Sequence, residues 1–292
     1  MGRSILHEFS STHDIRSVHR HRAPEEDHTP VEWIASDIAV VHDWRSLLHE
    51  IDLVINVAWY RSGSRRRFER LYHGLSRLLT AATESPSLRF LHISVPAAPP
   101  ELERTLPYLT LKRRFDHDLI GSGLSYAIVR PTMLFGARDK LLGVMLRGIR
   151  RYPFFPLFGN GEYHVSPLAV VDLARILRQL AASNFQGTVD AGGPIRYRYK
   201  DLTDLMFRTV GKSPRYWKMS GTGAVRLARL LETFGSSLLY SYEVKWLLSD
   251  TLGLPPFANL DRPLERVEPY LGAEVRRLQE GGRFHASPPA NG

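Results

Sequence analysis

The sequence predicts an α/β protein built around a doubly wound parallel sheet, and three observations support that class. Apolar runs typical of buried strands alternate, from the start of the chain, with segments that repeat apolar residues at helical spacing. Residues 52–60 form a nearly continuous apolar run, which indicates a strand covered on both faces. Strands separated by helices imply right-handed crossovers and therefore parallel strands.

The individual elements follow from local patterns. Further strands are predicted at 14–20, 89–95, 125–136 (stopped by Pro131) and 188–193. Helices are predicted at 42–51 (capped by His42 or Asp43), 66–83, 108–123, 139–152, 170–183 and 199–210. Because the pattern becomes more helical from about residue 139, we predict a sheet domain at 1–138 and a mainly helical lobe at 139–279 that receives crossings from the sheet. The Gly- and Pro-rich tail at 280–292 is predicted to be disordered.

The composition favours anionic partners and excludes several chemistries. Lys and Arg number 39 against 30 Asp and Glu, a formal charge of +9, and a phosphorylated cofactor or an acidic membrane surface fits that sign. The basic residues are spread along the chain without a nucleic-acid-binding motif, so no nucleic-acid partner is predicted. Cys is absent, which excludes disulfides and thiolate ligands, and no converging ligands predict a metal site.

The predicted location follows from missing targeting signals. Residues 1–15 contain His7, Glu8, His13 and Asp14 instead of an apolar signal core. No stretch approaches the roughly 20 apolar residues of a membrane span. We therefore predict a cytoplasmic protein whose contact with an acidic membrane surface, where it occurs, is peripheral. The sequence gives no prediction of an oligomeric state.

Three residues in order predict a catalytic set. Ser94 closes the predicted strand 89–95, and Tyr108 and Lys112 follow as Y-x-x-x-K in "YLTLK". Residues four apart share a helix face, so the Lys112 ammonium can lower the pKa of the Tyr108 hydroxyl, which is ordinarily about 10. A serine at a strand end can hold a substrate oxygen, which gives general acid–base catalysis beside a nicotinamide. The alternative is that the pair is a chance spacing on a solvated helix surface.

The order of these motifs resembles the extended or atypical short-chain dehydrogenase/reductase superfamily, of the NAD-dependent epimerase/dehydratase type. The resembling stretches include "IDLVINVA" (51–58), "LHIS" (91–94), "YLTLK" (108–112), "GLSYAIVRPTMLFG" (123–136) and "VDAGGP" (189–194). Within the superfamily the chain is most similar to the branch of the NAD(P)H-binding accessory subunit of respiratory complex I. The resemblance implies a Rossmann-like sheet, with residues 1–138 as a truncated NAD(P)-binding domain and 139–279 as a small C-terminal α/β substrate lobe.

The resemblance also implies which positions would contact a dinucleotide. These are Gly2, Arg20, Asp37, Ile38, Val57, Ala58, Lys112, Pro131 and Thr132. Asp37 and Ile38 match the place where the family holds the adenine ring, and Lys112 would also bind the nicotinamide ribose. Arg20 ends the second strand of the family, where an arginine suits the 2′-phosphate of NADP. The cofactor is therefore NADP or NAD, with NADP favoured by Arg20, and a solvated loop arginine is the alternative interpretation.

The sequence departs from the family at its start. Gly2 matches the last glycine of the fingerprint G-x-x-G-x-x-G, the one that permits close packing of helix on sheet. The strand and the two glycines that precede it in the family are missing from this sequence. In the strand order 3-2-1-4-5-6 the missing strand is central. We weigh three explanations: a wrongly assigned start, direct pairing of the strands at 15–18 and 53–58 in a degenerate protein, or a strand supplied by a partner chain.

Two functions therefore compete. The first is an NAD(P)-binding oxidoreductase or epimerase-like protein that uses Ser94, Tyr108 and Lys112 on a carbonyl or hydroxyl compound, which can be nucleotide-linked. The second is a non-catalytic scaffold or assembly protein, with or without bound NAD(P)H, that resembles the complex I accessory subunit.

Overall fold

The computed structural model describes residues 1–20, 31–59, 62, 64–137, 139, 141–233 and 240–280. Apart from its first residue, the tail predicted as disordered at 280–292 lies outside these described residues. The strands are β1 (Ile15–His19), β2 (Val31–Ala35), β3 (Leu53–Asn56), β4 (Arg89–Ile93), β5 (Ser125–Pro131), β6 (Leu134–Phe135), β7 (Phe155–Phe158), β8 (His164–Val165), β9 (Leu168–Ala169), β10 (Gly187–Ala191), β11 (Tyr197–Arg198) and β12 (Tyr216–Met219). The helices are α1 (Gly2–Phe9), α2 (Trp44–Leu48), α3 (Arg65–Ala82), α4 (Pro100–Thr105), α5 (Pro107–Ile120), α6 (Leu141–Arg151), α7 (Val170–Ala181), α8 (Tyr199–Thr209), α9 (Gly221–Thr233), α10 (Ser241–Leu247) and α11 (Val267–Gln279).

The centre of the molecule is a four-stranded parallel sheet in the order β10-β5-β4-β3. Its register places Ile55 opposite Leu91, and Leu91 opposite Ala127. Leu91 and Ala127 are fully buried, as expected for parallel strands covered on both faces. The predicted doubly wound parallel sheet is therefore confirmed. β10 lies within the segment predicted as the second lobe, and it returns to the sheet beside β5.

Helices cover both faces of this sheet. α1 and α7 share one apolar cluster with the sheet residues Leu91, Ile93 and Val129. α2, α3 and α5 form the cluster on the opposite face with Phe90 and Ile128. The stripe of apolar residues on α3 fits this burial, and the side chain of Asp43 accepts a hydrogen bond from the Ser46 amide at 3.0 Å, which caps α2 as predicted.

A second sheet of two parallel strands, β1 and β2, stands apart from the first. Ile15 of β1 packs into the apolar cluster beneath α1 and α7, and Val18 packs into the cluster beneath α2 and α3. β1 therefore lies between the same helix layers as the main sheet. Within the described residues, however, no ladder joins β1 to β3. Closure of the sheet by direct pairing of these two strands, one of the three explanations above, is not what the structure shows.

The segment predicted as a C-terminal lobe contributes most of a further apolar cluster. α6, α8 and α11 surround a cluster that includes Leu146, Met206 and Leu271. Three short strand pairs, β6–β9, β7–β12 and β8–β11, contribute residues to this cluster. α9 packs against α10, and α10 also reaches the sheet domain through Tyr242.

Candidate functional site

Most of the predicted site residues lie at the ends of parallel strands or in the loops that directly follow them. Arg20 follows β1, Asp37 and Ile38 follow β2, Val57 and Ala58 follow β3, Ser94 follows β4, and Pro131 and Thr132 stand at the end of β5. All of these positions are at the carboxyl ends of parallel strands. In open α/β sheets a ligand binds along that edge.

Two side chains of opposite charge lie at the carboxyl ends of β1 and β2. Arg20 Nε lies 3.7 Å from Asp37 Oδ2, and both side chains are partly exposed. The other carboxylate oxygen of Asp37 accepts a hydrogen bond from the Ala39 amide at 2.9 Å, which fixes the loop after β2. A carboxylate here can accept from a ribose 2′-hydroxyl and a guanidinium can bind a 2′-phosphate, so this pair bears on the choice between NAD and NADP.

Gly74 on α3 holds that loop in place and was not singled out from the sequence. A Cβ at Gly74 would lie 2.4 Å from the Ile38 carbonyl oxygen and 2.8 Å from the Ala39 Cα. Only a residue without a side chain lets the loop at 37–39 approach α3 this closely. The side chain of Arg77 donates to the Ala39 carbonyl at 2.8 Å and strengthens the same contact.

Gly2 begins α1, but not at a tight contact. A Cβ at Gly2 would meet no atom of the described residues within 4 Å, so close helix–sheet packing does not require glycine here. Arg3 and Ser4 follow Gly2, so the first turn has no acidic side chain. A helix N-terminus without an acid favours a phosphate, which fits the pyrophosphate of a dinucleotide.

The strand ends nearer the middle of the edge are held by side-chain hydrogen bonds. The Asn56 side chain accepts from the Ala58 amide at 3.0 Å, which turns the chain after β3 and leaves Val57 and Ala58 at the edge. At the end of β5, the Thr132 hydroxyl donates to the Ser166 carbonyl, and the Thr132 amide bonds to the Ala191 carbonyl at 3.3 Å. Pro131 and Thr132 are thereby tied to the start of the C-terminal lobe.

Tyr108 and Lys112 lie one turn apart on α5, as the spacing predicts. Both contact Trp59, which follows β3. The Trp59 ring centroid is 6.1 Å from that of Tyr108, and the Lys112 ammonium lies 4.8 Å from the Trp59 ring. The Trp59 indole N–H is buried without a hydrogen-bond partner among the described residues.

Lys112 is only 3% exposed, and its ammonium donates to the Ile93 carbonyl at 2.6 Å. Burial removes water from the charged form and lowers the pKa of Lys112 from 10.5 to about 7, although Asp116 opposes the shift and Arg113 adds to it. A lysine with this pKa changes charge near neutral pH. Perturbed groups of this kind are typical of functional sites.

Ser94 is 2% exposed and takes part in a buried polar network centred on Asp116. The Ser94 hydroxyl donates to Asp116 Oδ2 at 2.8 Å, and Arg113 donates to the same oxygen at 2.6 Å. His92 Nε2 faces the other carboxylate oxygen at 3.6 Å, while Asn56 donates to His92 Nδ1 at 3.0 Å. Desolvation lowers the pKa of His92 well below its usual range, so this ring is neutral.

Sequence reasoning missed the centre of this network. Asp116 lies one turn beyond Lys112 and two turns beyond Tyr108, so all three share one face of α5. The spacing Y-x-x-x-K-x-x-x-D is readable in the sequence and could have indicated it. Arg113 also binds the carbonyls of Val95 and Pro96 at 2.8 and 2.7 Å, so α5 holds the loop that follows Ser94.

Aromatic side chains from the C-terminal lobe cover Tyr108. Tyr242 of α10 stacks on it at 5.0 Å with an interplanar angle of 24°, and the Trp246 ring lies 6.1 Å away. Phe68 approaches Tyr108 from α3 at 5.6 Å. Two cavities among the described residues lie elsewhere, one beside Phe257 and one beside Tyr270.

The described part of the chain contains neither a metal-binding group nor a membrane-spanning helix. Its His, Asp and Glu side chains form no group of three or more that could hold a metal ion. None of its helices combines the length and the apolar character needed to cross a bilayer.

A parallel sheet with helices on both faces is a Rossmann-type fold. Residues 1–147 match a family model described as NAD(P)H-binding. Because the match covers half of the chain, the protein belongs to this NAD(P)H-binding family, and its cofactor class is NAD(P). The prediction that residues 1–138 belong to an NAD(P)-binding family is thereby confirmed.

Individual relatives agree with the family. The chain is 24% identical over 183 residues to NADH dehydrogenase (ubiquinone) 1 alpha subcomplex subunit 9, mitochondrial, of Arabidopsis thaliana, covering 60% of this chain and 44% of that protein. The chain spans less than half of the length of the curated relatives that it matches.

Solved structures show the same fold across nearly the whole chain. A nucleoside-diphosphate-sugar epimerase from Staphylococcus aureus superposes with a TM-score of 0.69 at 16% identity, covering 93% of this chain and 95% of that one. A UDP-glucuronic acid 4-epimerase from Bacillus cereus, solved with UDP-glucuronic acid and NAD, gives a TM-score of 0.65 at 17% identity and covers 96% of each chain.

Proposed function

We propose that this protein is an NAD(P)-dependent oxidoreductase or epimerase in which Tyr108 exchanges a proton with a carbonyl or hydroxyl substrate. The observation that carries the proposal is the buried Lys112, whose pKa is lowered to about 7, one helical turn from Tyr108. Both residues stand beside the carboxyl ends of β3 and β4, where the family binds its dinucleotide.

The chain's own residues divide the chemistry as follows. A bound nicotinamide supplies or accepts the hydride. The Tyr108 hydroxyl gives its proton to the substrate oxygen, or takes it back in the reverse direction. A protonated Lys112 nearby favours the phenolate that Tyr108 then carries. Because the lowered pKa of Lys112 is about 7, a substantial share of the protein molecules carry a charged Lys112 near neutral pH, and in these molecules Lys112 can act in this way.

Ser94 is proposed as an acceptor for the substrate. Its only proton is directed at Asp116, so its lone pairs are what it can offer to a substrate hydroxyl. Since Ser94 is buried, the substrate oxygen has to enter the interior of the protein to meet it.

The dinucleotide is proposed to lie along the strand ends from Arg20 and Asp37 to Pro131 and Thr132, with its pyrophosphate near Gly2. Arg20 supports NADP, and the carboxylate of Asp37 supports NAD. Because the two side chains lie 3.7 Å apart, Asp37 offsets part of the positive charge that a 2′-phosphate would meet. We retain NADP as the favoured cofactor, and UDP-glucuronic acid is a suitable first substrate because a structural neighbour was solved with it.

The test replaces the proposed acid. Tyr108→Phe removes the hydroxyl and keeps the ring that stacks on Tyr242. We expect turnover of NAD with UDP-glucuronic acid, or of NADPH with small ketones, to fall by about a hundredfold or more, while the Kd for NADPH changes little. Tyr126→Phe, at the opposite end of β5, is the matched control and should keep full turnover. Equal turnover in the wild type and Tyr108→Phe would remove the mechanism.

A non-catalytic scaffold is the second candidate, and one contact favours it. The Tyr242 ring already stacks on the Tyr108 ring, and the Arabidopsis relative is named as a subunit of a larger assembly. This candidate predicts NADPH binding, or no binding, without turnover of any carbonyl compound in the wild type. Turnover that depends on Tyr108 excludes it.

A further inference from the structure

The C-terminal lobe carries an exposed surface that combines aromatic rings and cations, here called the basic aromatic patch. It consists of Arg150, Arg151, Tyr152, Phe154, Lys212, Arg215, Trp217 and Lys218. Its three rings are among the most exposed large apolar side chains described: Tyr152 and Trp217 are 61% exposed and Phe154 is 57% exposed. Large apolar side chains exposed together indicate an interaction surface.

Two chain segments form the patch, and direct contacts hold them together. β7 and β12 pair in parallel, with Tyr216 opposite Phe155. The Phe155 amide bonds to the Arg215 carbonyl at 3.0 Å. Lys212 donates to the carbonyls of Ile149 and Arg150 at 2.9 and 2.7 Å, at the end of α6. The turn after α6 and the strand β12 therefore lie side by side.

The alternation of β12 directs its aromatic residues to opposite sides. Tyr216 turns inward, and its hydroxyl donates to Asp204 at 2.5 Å. Trp217, the next residue, consequently projects outward. Of the five tryptophans, all of them within the described residues, Trp217 alone is exposed.

Two longer segments that contain the patch together account for the net positive charge of the protein, and five of their cations belong to the patch. Residues 141–161 and 205–231 hold nine Lys and Arg and no Asp or Glu. The rest of the chain has thirty basic and thirty acidic residues, so its formal charge is zero. Five exposed cations beside exposed rings favour an anionic partner.

We propose that the basic aromatic patch docks the protein onto an anionic lipid surface. Trp and Tyr favour the boundary between lipid and water, where an apolar ring and a polar group are both satisfied. Lys and Arg around them are attracted to acidic headgroups. Three exposed rings together with five exposed cations fit the insertion of side chains between headgroups. The inference does not depend on the proposed catalysis.

The binding test uses the full chain and vesicles of two compositions. Vesicles of phosphatidylcholine alone are compared with vesicles in which about a third of the lipid is phosphatidylserine. We expect the protein to sediment with the second kind and not with the first, and added salt should weaken the binding. Equal binding to both kinds, or binding to neither, overturns the proposal.

Charge variants assign the binding to the patch. The double variant Arg151→Gln/Lys218→Gln removes two exposed cations and should lower the partition coefficient about 30-fold. The control Arg66→Gln/Arg104→Gln removes two exposed cations from the sheet domain and should change it less than about twofold. An equal loss of vesicle binding in both double variants would show that the overall charge attracts the protein to the vesicles, and it would overturn the assignment of binding to the patch.

Aromatic variants test ring insertion. Trp217→Ala should weaken vesicle binding, and acrylamide should quench the fluorescence of Trp217 less when vesicles are present. The control Phe185→Ala alters an exposed ring on the sheet domain and should bind vesicles normally. Unchanged quenching would reject lipid as the partner. Lipid would also be rejected if the same variants lose binding to duplex DNA but keep their binding to vesicles.

Discussion

Replacement of the buried Lys112 by methionine gives a prediction that can be worked in detail. Lys112 has a pKa of about 7 in the folded protein against 10.5 when solvated. At a pH between these values the unfolded chain binds more protons than the folded one, so the stability of the fold rises as pH increases. The stability cost of burying this lysine is greatest below the folded pKa and declines as pH approaches the unfolded pKa.

The magnitude follows from the two pKa values. One pKa unit corresponds to about 1.4 kcal/mol, so the full cost is about 5 kcal/mol. Most of the change lies above the folded pKa: between about pH 7 and pH 9, the wild type should gain about 2 kcal/mol relative to a chain without the titrating group. Below about pH 7 the difference should be nearly constant.

The assay is urea unfolding of the wild type and Lys112→Met at several pH values. Subtracting the two free energies of unfolding cancels groups common to both proteins. The free energy of unfolding of the wild type minus that of Lys112→Met should rise by about 2 kcal/mol between about pH 7 and pH 9. Lys218→Met, which alters an exposed lysine, should show no such shift. A pH-independent difference for Lys112→Met would refute the assignment of a charged, desolvated lysine to this position.

Three other predictions concern the surroundings of the site. Asp116→Ala leaves Arg113 without its buried partner, so the free energy of unfolding should fall by about 3 kcal/mol or more; a loss below about 1 kcal/mol in urea unfolding would contradict the network. Gly74→Ala places a methyl group 2.4 Å from the Ile38 carbonyl oxygen, so the loop at 37–39 should shift and the Kd for NADPH should rise; an unchanged Kd by calorimetry would show that this loop is not part of the dinucleotide site. β4 is paired on both sides and β3 with β4 alone among the described strands, so amides of residues 53–56 should exchange faster than those of 89–93; equal protection would show that β3 has a second pairing partner.

The sequence predicts most of the sheet domain because its elements carry local signals. The stripe on α3 and the cap at Asp43 are local patterns, and both are confirmed. β3 is shorter than the apolar run at 52–60, since the Asn56 side chain binds the Ala58 amide and turns the chain. α4 was not predicted: none of its side chains is buried, so it has no apolar stripe to detect.

The site is only partly readable from the sequence because its environment is built from distant segments. The spacing of Tyr108 and Lys112 is local, and it places both on α5 as predicted. The burial of Lys112 and the stacking of Tyr242 on Tyr108 depend on tertiary packing, which no local pattern encodes. The same holds for Asp116, whose spacing suggests a helix surface while its contacts with Ser94 and Arg113 are buried.

The central claim is that an NAD(P) dinucleotide lies along the carboxyl ends of the parallel strands, beside Tyr108 and Lys112. Hydrogen exchange measured with and without saturating NADPH tests it most directly. We predict slower exchange in three segments, residues 36–39, 57–59 and 93–95, with little change in the lobe helices α8 and α11. Binding of NADPH that leaves these three segments unchanged, or protection confined to the C-terminal lobe, would contradict it.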